Sequence, residues 1–189
     1  MKRTIWIAFL FCVILSACSS GRTDISMQSA VNFRTALMEA AGCSYQAQVT
    51  ADYGERIYEF DLLCEYVPDA EARVTVISPE IISGISATIS SDGAKIEFDG
   101  AELDFGVMAN GNVAPMSLPW IMGRAWSSEY IRSVGIDDEF ILVSYLMGYG
   151  DDEILVETWF ADDRTPVRCD ISYAGMRCIS AAISDFKLH

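Results

Sequence analysis

Apolar and polar residues change their period along this chain, and each change marks an element. Met27, Ala30, Val31, Leu37, Met38 and Ala41 fall at helical spacing, with Asp24 or Ser26 as a cap and Gly42 as a stop. This predicts one amphipathic helix over 25–41. From Cys43 the period drops to two, which marks a strand with one buried face. With Tyr53-Gly54 at a hairpin tip, Tyr45 faces Leu62, Ala47 faces Phe60 and Val49 faces Tyr58, while Gln46 faces Asp61 and Gln48 faces Glu59. The same register sets Cys43 opposite Cys64.

Residues 72–77 read as a further strand, after which Pro79 and Gly84 break the chain. Two hairpin signals follow, Ser91-Asp92-Gly93-Ala94 and Phe98-Asp99-Gly100-Ala101. The first pairs Ile89 with Ile96 and Ala87 with Phe98; the second pairs Phe98 with Ala101, Ile96 with Leu103 and Ala94 with Phe105. Three consecutive strands then share one apolar face that holds Ile85, Ile89, Ile96, Phe98 and Leu103, an antiparallel meander. The pattern lapses through Asn110-Gly111-Asn112 and Pro115. Residues 119–132 read as a second helix with Pro119 in its first turn and Met122, Trp126 and Tyr130 on one stripe. An apolar strand over 140–147, a return over 153–161 and two strands flanking Tyr173-Ala174 complete the order: helix, about six strands, helix, about four strands.

In that last hairpin Ile171 faces Met176 and Cys169 faces Cys178. Two independent registers therefore pair the cysteines as Cys43 with Cys64 and Cys169 with Cys178, as disulfides of an exported protein. Zinc is the competing use of four cysteines, but there is no CxxC pair and no nearby histidine.

Export is indicated at the N-terminus. Lys2 and Arg3 precede an apolar run over 5–15 that is short for a bilayer span, and small residues lead into a cysteine. The segment Leu15-Ser16-Ala17-Cys18 resembles the lipobox of bacterial lipoprotein signal peptides. That resemblance implies a diacylglyceryl group on the Cys18 sulfur, cleavage before it and acylation of the new N-terminus, enough for stable anchoring. The chain then divides into a signal peptide at 1–17, a lipidated tether at 18–23 and a single domain at 24–189. Its place is outside the cytoplasm, on the outer face of the cytoplasmic membrane or on an outer membrane. Lys2 and Arg3 leave with the signal, so eleven basic residues face 27 acidic ones. Such a surface excludes nucleic acid as a partner and leaves the covalent lipid as the membrane attachment.

The N-terminal helix before the first hairpin, the Pro79 to Gly84 break leading into the Ile85 meander and the Thr165-Pro166 strand together resemble the LolA/LolB-like lipoprotein-localisation superfamily. The resemblance implies an α+β fold: a strongly curved antiparallel sheet forming an open half-barrel of about ten strands, with the N-terminal helix and a second helix plugging its concave face. It also implies one of several roles, since that superfamily holds lipoprotein carriers, anchored acceptors, stress regulators, lipid-binding lipoproteins and germination lipoproteins.

Nothing in the chain points to catalysis or to a cofactor. The one histidine is His189, which removes Ser-His-Asp, Cys-His and HExxH chemistry, and no phosphate loop is present. The acidic runs Asp137-Asp138-Glu139, Asp151-Asp152-Glu153 and Asp162-Asp163 read as solvated turns and not as a metal site. Trp120, Met122, Trp126 and Tyr130 allow two readings, a packed core or a plug whose gap against Ile85, Ile89, Ile96, Phe98 and Leu103 admits a lipid or a lipoprotein acyl chain. The alternative to such a binder is a non-catalytic scaffold or regulator of an envelope enzyme or signalling protein.

Overall fold

The computed structural model describes residues 20–109, 112–148, 150 and 153–189. The segment expected as a signal peptide, Cys18, Asn110-Gly111 and Asp151-Asp152 lie outside the described residues. Helix α1 (Ser20–Glu39) leads into β1 (Cys43–Asp52), β2 (Ile57–Val67) and β3 (Glu71–Ser78). After the cis Ser78–Pro79 bond and a short 3-10 turn come β4 (Ser86–Ser90), β5 (Gly93–Phe98) and β6 (Ala101–Phe105). A small ladder of β7 (Met108–Ala109) and β8 (Asn112–Val113) precedes helix α2 (Leu118–Ser127). Then come β9 (Tyr130–Asp137), β10 (Phe140–Met147), β11 (Ile154–Phe160), β12 (Pro166–Tyr173) and β13 (Met176–Leu188).

Eleven strands form one antiparallel sheet in the order β6-β5-β4-β3-β2-β1-β13-β12-β11-β10-β9. The first strand therefore pairs with the last, and two meanders run outward from that seam to free edges at β6 and β9. Register irregularities at Ser44/Gln46, Asp61/Leu62, Ser144/Tyr145, Trp159/Phe160 and Ile171/Ser172 bend the strands. This is the open half-barrel that the resemblance implies, with β9 as a strand added to the predicted order.

Strand faces follow the alternation. Cys43, Tyr45, Ala47, Val49 and Ala51 are at most 1% exposed, and the residues between them face out. Register departs from expectation in three of the hairpins. Asp52 pairs with Ile57 across a four-residue loop, so Val49 faces Phe60 and Ala47 faces Leu62, two residues along from the predicted partners. Asp52 Oδ1 accepts the Gly54 N–H at 2.8 Å, a side-chain turn that a two-residue tip would not accommodate. In the meander Ser90 pairs with Gly93, which places Ile89 against Ala94 and Ala87 against Ile96; the β5–β6 register matches the prediction at every pair. The β12–β13 turn sits at Ala174-Gly175, both with positive φ, and sets Tyr173 against Met176.

Helix boundaries also shift. α1 starts at Ser20, so residues 20–23, expected as tether, belong to the helix, and its core stripe is Ala30, Phe33 and Leu37 while Met27, Val31 and Met38 are 40–42% exposed. α2 ends at Ser127, where the Ser128 and Glu129 N–H groups both turn back to the Arg124 carbonyl. Tyr130, expected on the helix, opens β9 instead.

Eight of the ten residues of α2 are buried against the helix-side face of the sheet. Its approach requires glycine at 123, since a Cβ there would collide with the Tyr66 ring. Beside it, the Tyr66 hydroxyl and Ser127 Oγ share a 2.9 Å hydrogen bond. Trp126 donates from Nε1 to Thr158 Oγ1 at 3.0 Å and is ringed by Phe33, Tyr45 and Phe186. Arg34 of α1 donates to the carbonyls of Trp126, Ala125 and Glu129 at 2.9, 3.3 and 2.7 Å, closing the C-terminal end of α2. Gly123→Ala separates these terms: helix propensity favours alanine by ~1 kcal/mol, but the ring cannot yield without moving α2. A net loss of about 2 kcal/mol is expected from overpacking, read as a lower urea midpoint at unchanged slope; a stabilised variant would refute the close approach.

Candidate functional site

The nine residues expected around an acyl chain do not share one cavity. Ile89, Met122 and Trp126 are at most 1% exposed and belong to one contiguous core, in which the Tyr45 hydroxyl lies 3.8 Å from Met122 Sδ. Ile85, Ile96 and Trp120 are half-buried at the margin of that core. Phe98, Leu103 and Tyr130 are 48%, 69% and 70% exposed. The packed-core reading thus holds for the centre of the set, and its outer members are solvent-facing.

One part that stays apolar and open is the rim at β5 and β6. On the helix-side face of β5 and β6, Leu103 stands opposite Ile96, Ala101 opposite Phe98 and Phe105 opposite Ala94. α2 packs on β2, β3, β10 and β11, so this last part of the face runs out beyond it. The other side of the same strands is charged, with Lys95 Nζ 2.6 Å from Glu102 Oε1. An edge strand carrying charge on one side and large apolar groups on the other can seat an apolar ligand without being a flat aggregation edge.

The cysteines are buried and free. With the shifted registers Cys43 faces Tyr66 and Cys64 faces Tyr45, so the two thiols stand on a diagonal, typically ~7–8 Å between Cα atoms and beyond a relaxed bridge. Cys169 faces Ala181, and Cys178 falls in the bulge between Ile171 and Ser172. The Cys178 thiol lies 3.3 Å from the Ile171 carbonyl, and Cys169 is 3.9 Å from the Asp170 carbonyl. The expected opposition of each pair is therefore corrected. Burial pushes the Cys43 thiol up to about 12 and also raises Cys64, Cys169 and Cys178.

A second built surface lies on the sheet face turned away from the helices, and sequence reading missed it. A groove of about 880 Å³ is lined there by Gln48, Asp61, Asp137, Trp159, Arg168 and Arg177, among others. Asp170, 4% exposed, receives Arg168 at 2.6 and 3.3 Å and Arg177 at 3.2 Å. The Arg168 guanidinium lies 4.3 Å over the Trp159 ring, and Trp159 Nε1 donates to Asp137 Oδ2 at 2.7 Å. The available signal was Trp159, Arg168 and Asp170 at outward positions of neighbouring strands, but only a known register brings them together. Among the described residues no group of His, Cys, Asp and Glu is arranged to hold a metal ion.

Three outcomes check this chemistry. At pH 8 the folded protein should resist thiol alkylation at all four core cysteines, and in denaturant all four should react; fewer in denaturant would reveal a disulfide. Because the folded state favours the protonated Cys43 thiol, its stabilising effect is complete below pH 9, the ordinary value, and is lost as pH rises toward 12. The melting temperature should accordingly fall across that range. Separately, Arg168→Ala combined with Arg177→Ala strands a buried carboxylate and should cost about 3 kcal/mol in a urea titration; a neutral double variant would contradict the burial of Asp170.

No protein family and no curated protein matches this sequence. Among solved structures, the chain is similar to a LolA superfamily protein from Nitrosomonas europaea, with a TM-score of 0.49 and 9% identity over 87% of this chain and 93% of that one. It is similar to an outer membrane lipoprotein-sorting protein domain from Vibrio parahaemolyticus, with a TM-score of 0.45 and 9% identity over 85% and 91%. The Mycobacterium tuberculosis lipoprotein LppX gives a TM-score of 0.39 and 10% identity over 89% and 96%. At these identities the likeness concerns the course of the chain and not its ligand.

Proposed function

We propose that this chain is a non-catalytic lipoprotein of the cell envelope, anchored through Cys18, that binds an apolar group at the open rim of its half-barrel. The observation that carries this reading is the exposed apolar face of β5 and β6, where Leu103 and Phe98 remain 69% and 48% exposed next to a fully packed core. A lipid or the acyl chain of another lipoprotein fits that surface, because burying it removes large apolar groups from water and calls for no charged partner. The lipobox supports the anchor, and the one histidine at the last position supports the absence of imidazole-based catalysis.

A second reading rests on a different observation. Ile89, Met122 and Trp126 are at most 1% exposed within one contiguous core, which favours a scaffold or regulator whose rim docks an envelope protein. One experiment separates the two. Full-length protein extracted in mild detergent should carry lipid in excess of the Cys18 modification by mass spectrometry, and Phe98→Glu with Leu103→Glu should reduce that lipid at least fivefold at an unchanged melting temperature. Absence of lipid from the wild type, with an envelope protein copurifying and lost in the double variant, would favour the scaffold. Cys18→Ala should release the protein from the membrane fraction in either case.

A further inference from the structure

The opposite edge of the sheet carries an apolar crevice that the rim site does not use. It measures about 660 Å³ and lies between α1, the α2–β9 turn and the adjoining ends of β9 and β10. Met27, Arg34, Glu129, Tyr130, Ile131 and Leu146 line it, with Ser128 and Gly148 beside them. Its two charged groups are already engaged. The Arg34 guanidinium donates to the Ala125, Trp126 and Glu129 carbonyls, and the Glu129 carboxylate accepts Arg124 at 2.9 Å. What the crevice offers a ligand is therefore Met27, Ile131, Leu146 and the Tyr130 ring, with Val31 one turn beyond Met27 on the same exposed stripe of α1.

The position of this crevice along the chain identifies its occupant. α1 begins at Ser20, so Met27 stands seven residues into the helix, a rise of ~10 Å. The link from Cys18 to Ser20 adds at most ~7 Å. Met27 thus lies no more than ~18 Å along the chain from the Cys18 Cα, and helix from Ser20 onward takes the place of most of the tether that the sequence suggests. The headgroup layer of a bilayer is only ~5–8 Å thick on each side. A half-exposed Met beside a largely exposed Tyr at that distance matches the composition of a membrane-interface contact.

We infer that this crevice is a bilayer-contact site that takes an acyl chain of the phospholipids surrounding the anchor, and so orients the domain with its β9 edge toward the membrane and its β6 rim away. The inference rests on the anchoring reading above and is independent of what the rim binds.

Photo-crosslinking in the full-length lipoprotein tests it. A benzoylphenylalanine replaces Met27, Tyr130 or, as control, Ile136, which is 53% exposed on the same strand. Ile136 is six residues and ~20 Å from Tyr130. In vesicles of phosphatidylethanolamine and phosphatidylglycerol, phospholipid adducts at positions 27 and 130 should exceed those at 136 at least tenfold by mass spectrometry. Equal adducts at all three positions, or none while the protein stays vesicle-bound, would overturn the crevice and leave the anchor standing. Crosslinks confined to the protein's own Cys18 acyl chains would overturn the phospholipid as occupant. Wild-type protein that never binds the vesicles would overturn the anchoring reading and this inference with it.

Discussion

An open antiparallel sheet has one apolar face and no second sheet to cover it, and here a helix of ten residues carries much of that task. α2 succeeds because Gly123 lets its backbone rest on the Tyr66 ring and because Trp126 enters the space bounded by Phe33, Tyr45 and Phe186. A tryptophan of this kind buries on the order of 200 Å², about 5 kcal/mol at 25 cal/mol per Å². Its hydrogen bond to Thr158 contributes about 1 kcal/mol by comparison. Burial holds the helix down, and the hydrogen bond sets the orientation of the ring. Arg34 then locks α1 to the end of α2, so both helices seat as one cover.

That packing moves the open apolar surface outward. A core filled by Trp126, Met122 and Ile89 leaves the apolar groups that a ligand can reach at the two edges of the sheet, Leu103 and Phe98 beside β6 and the Tyr130 crevice beside β9. The polar groove over Trp159, Arg168 and Asp170 lies on the remaining face. These surfaces belong to different faces and edges, so occupying one leaves the others accessible.

Much of the architecture was legible in the sequence, and the failures share a cause. The helix–strand order, the shared face of the Ile85 to Phe105 meander and the β5–β6 register came from alternation and from Asp99-Gly100, whose positive φ values match the hairpin turn that such a pair favours. The C-terminal reach of α2 was misjudged because Tyr130 continues the four-residue spacing of Met122 and Trp126, yet the carbonyls of the last turn are claimed by Arg34, a residue 95 positions earlier than its farthest partner Glu129. The expected ligand set spreads from core to solvent because a face assignment says which side a residue takes and not how far the helix cover extends. Whether Leu103 is covered depends on the length and position of α2, and neither is encoded near Leu103.

The cysteines show the division most sharply. Period-two alternation determined that Cys43, Cys64 and Cys169 point into the core, and the structure buries all three. Alternation is unchanged by a slip of two residues, so it has no power to choose the partner across the strand. That choice fell to the Asp52 turn, which lengthens the β1–β2 loop to four residues, and to the bulge at Ile171/Ser172, which carries Cys178 away from Cys169. The sequence alone determined which faces of the strands are apolar, because that is a property of residue identity and local spacing. Only the tertiary structure decided which residues stand opposite the thiols and which apolar residues remain open, because both depend on loop geometry and on a helix docked from elsewhere in the chain.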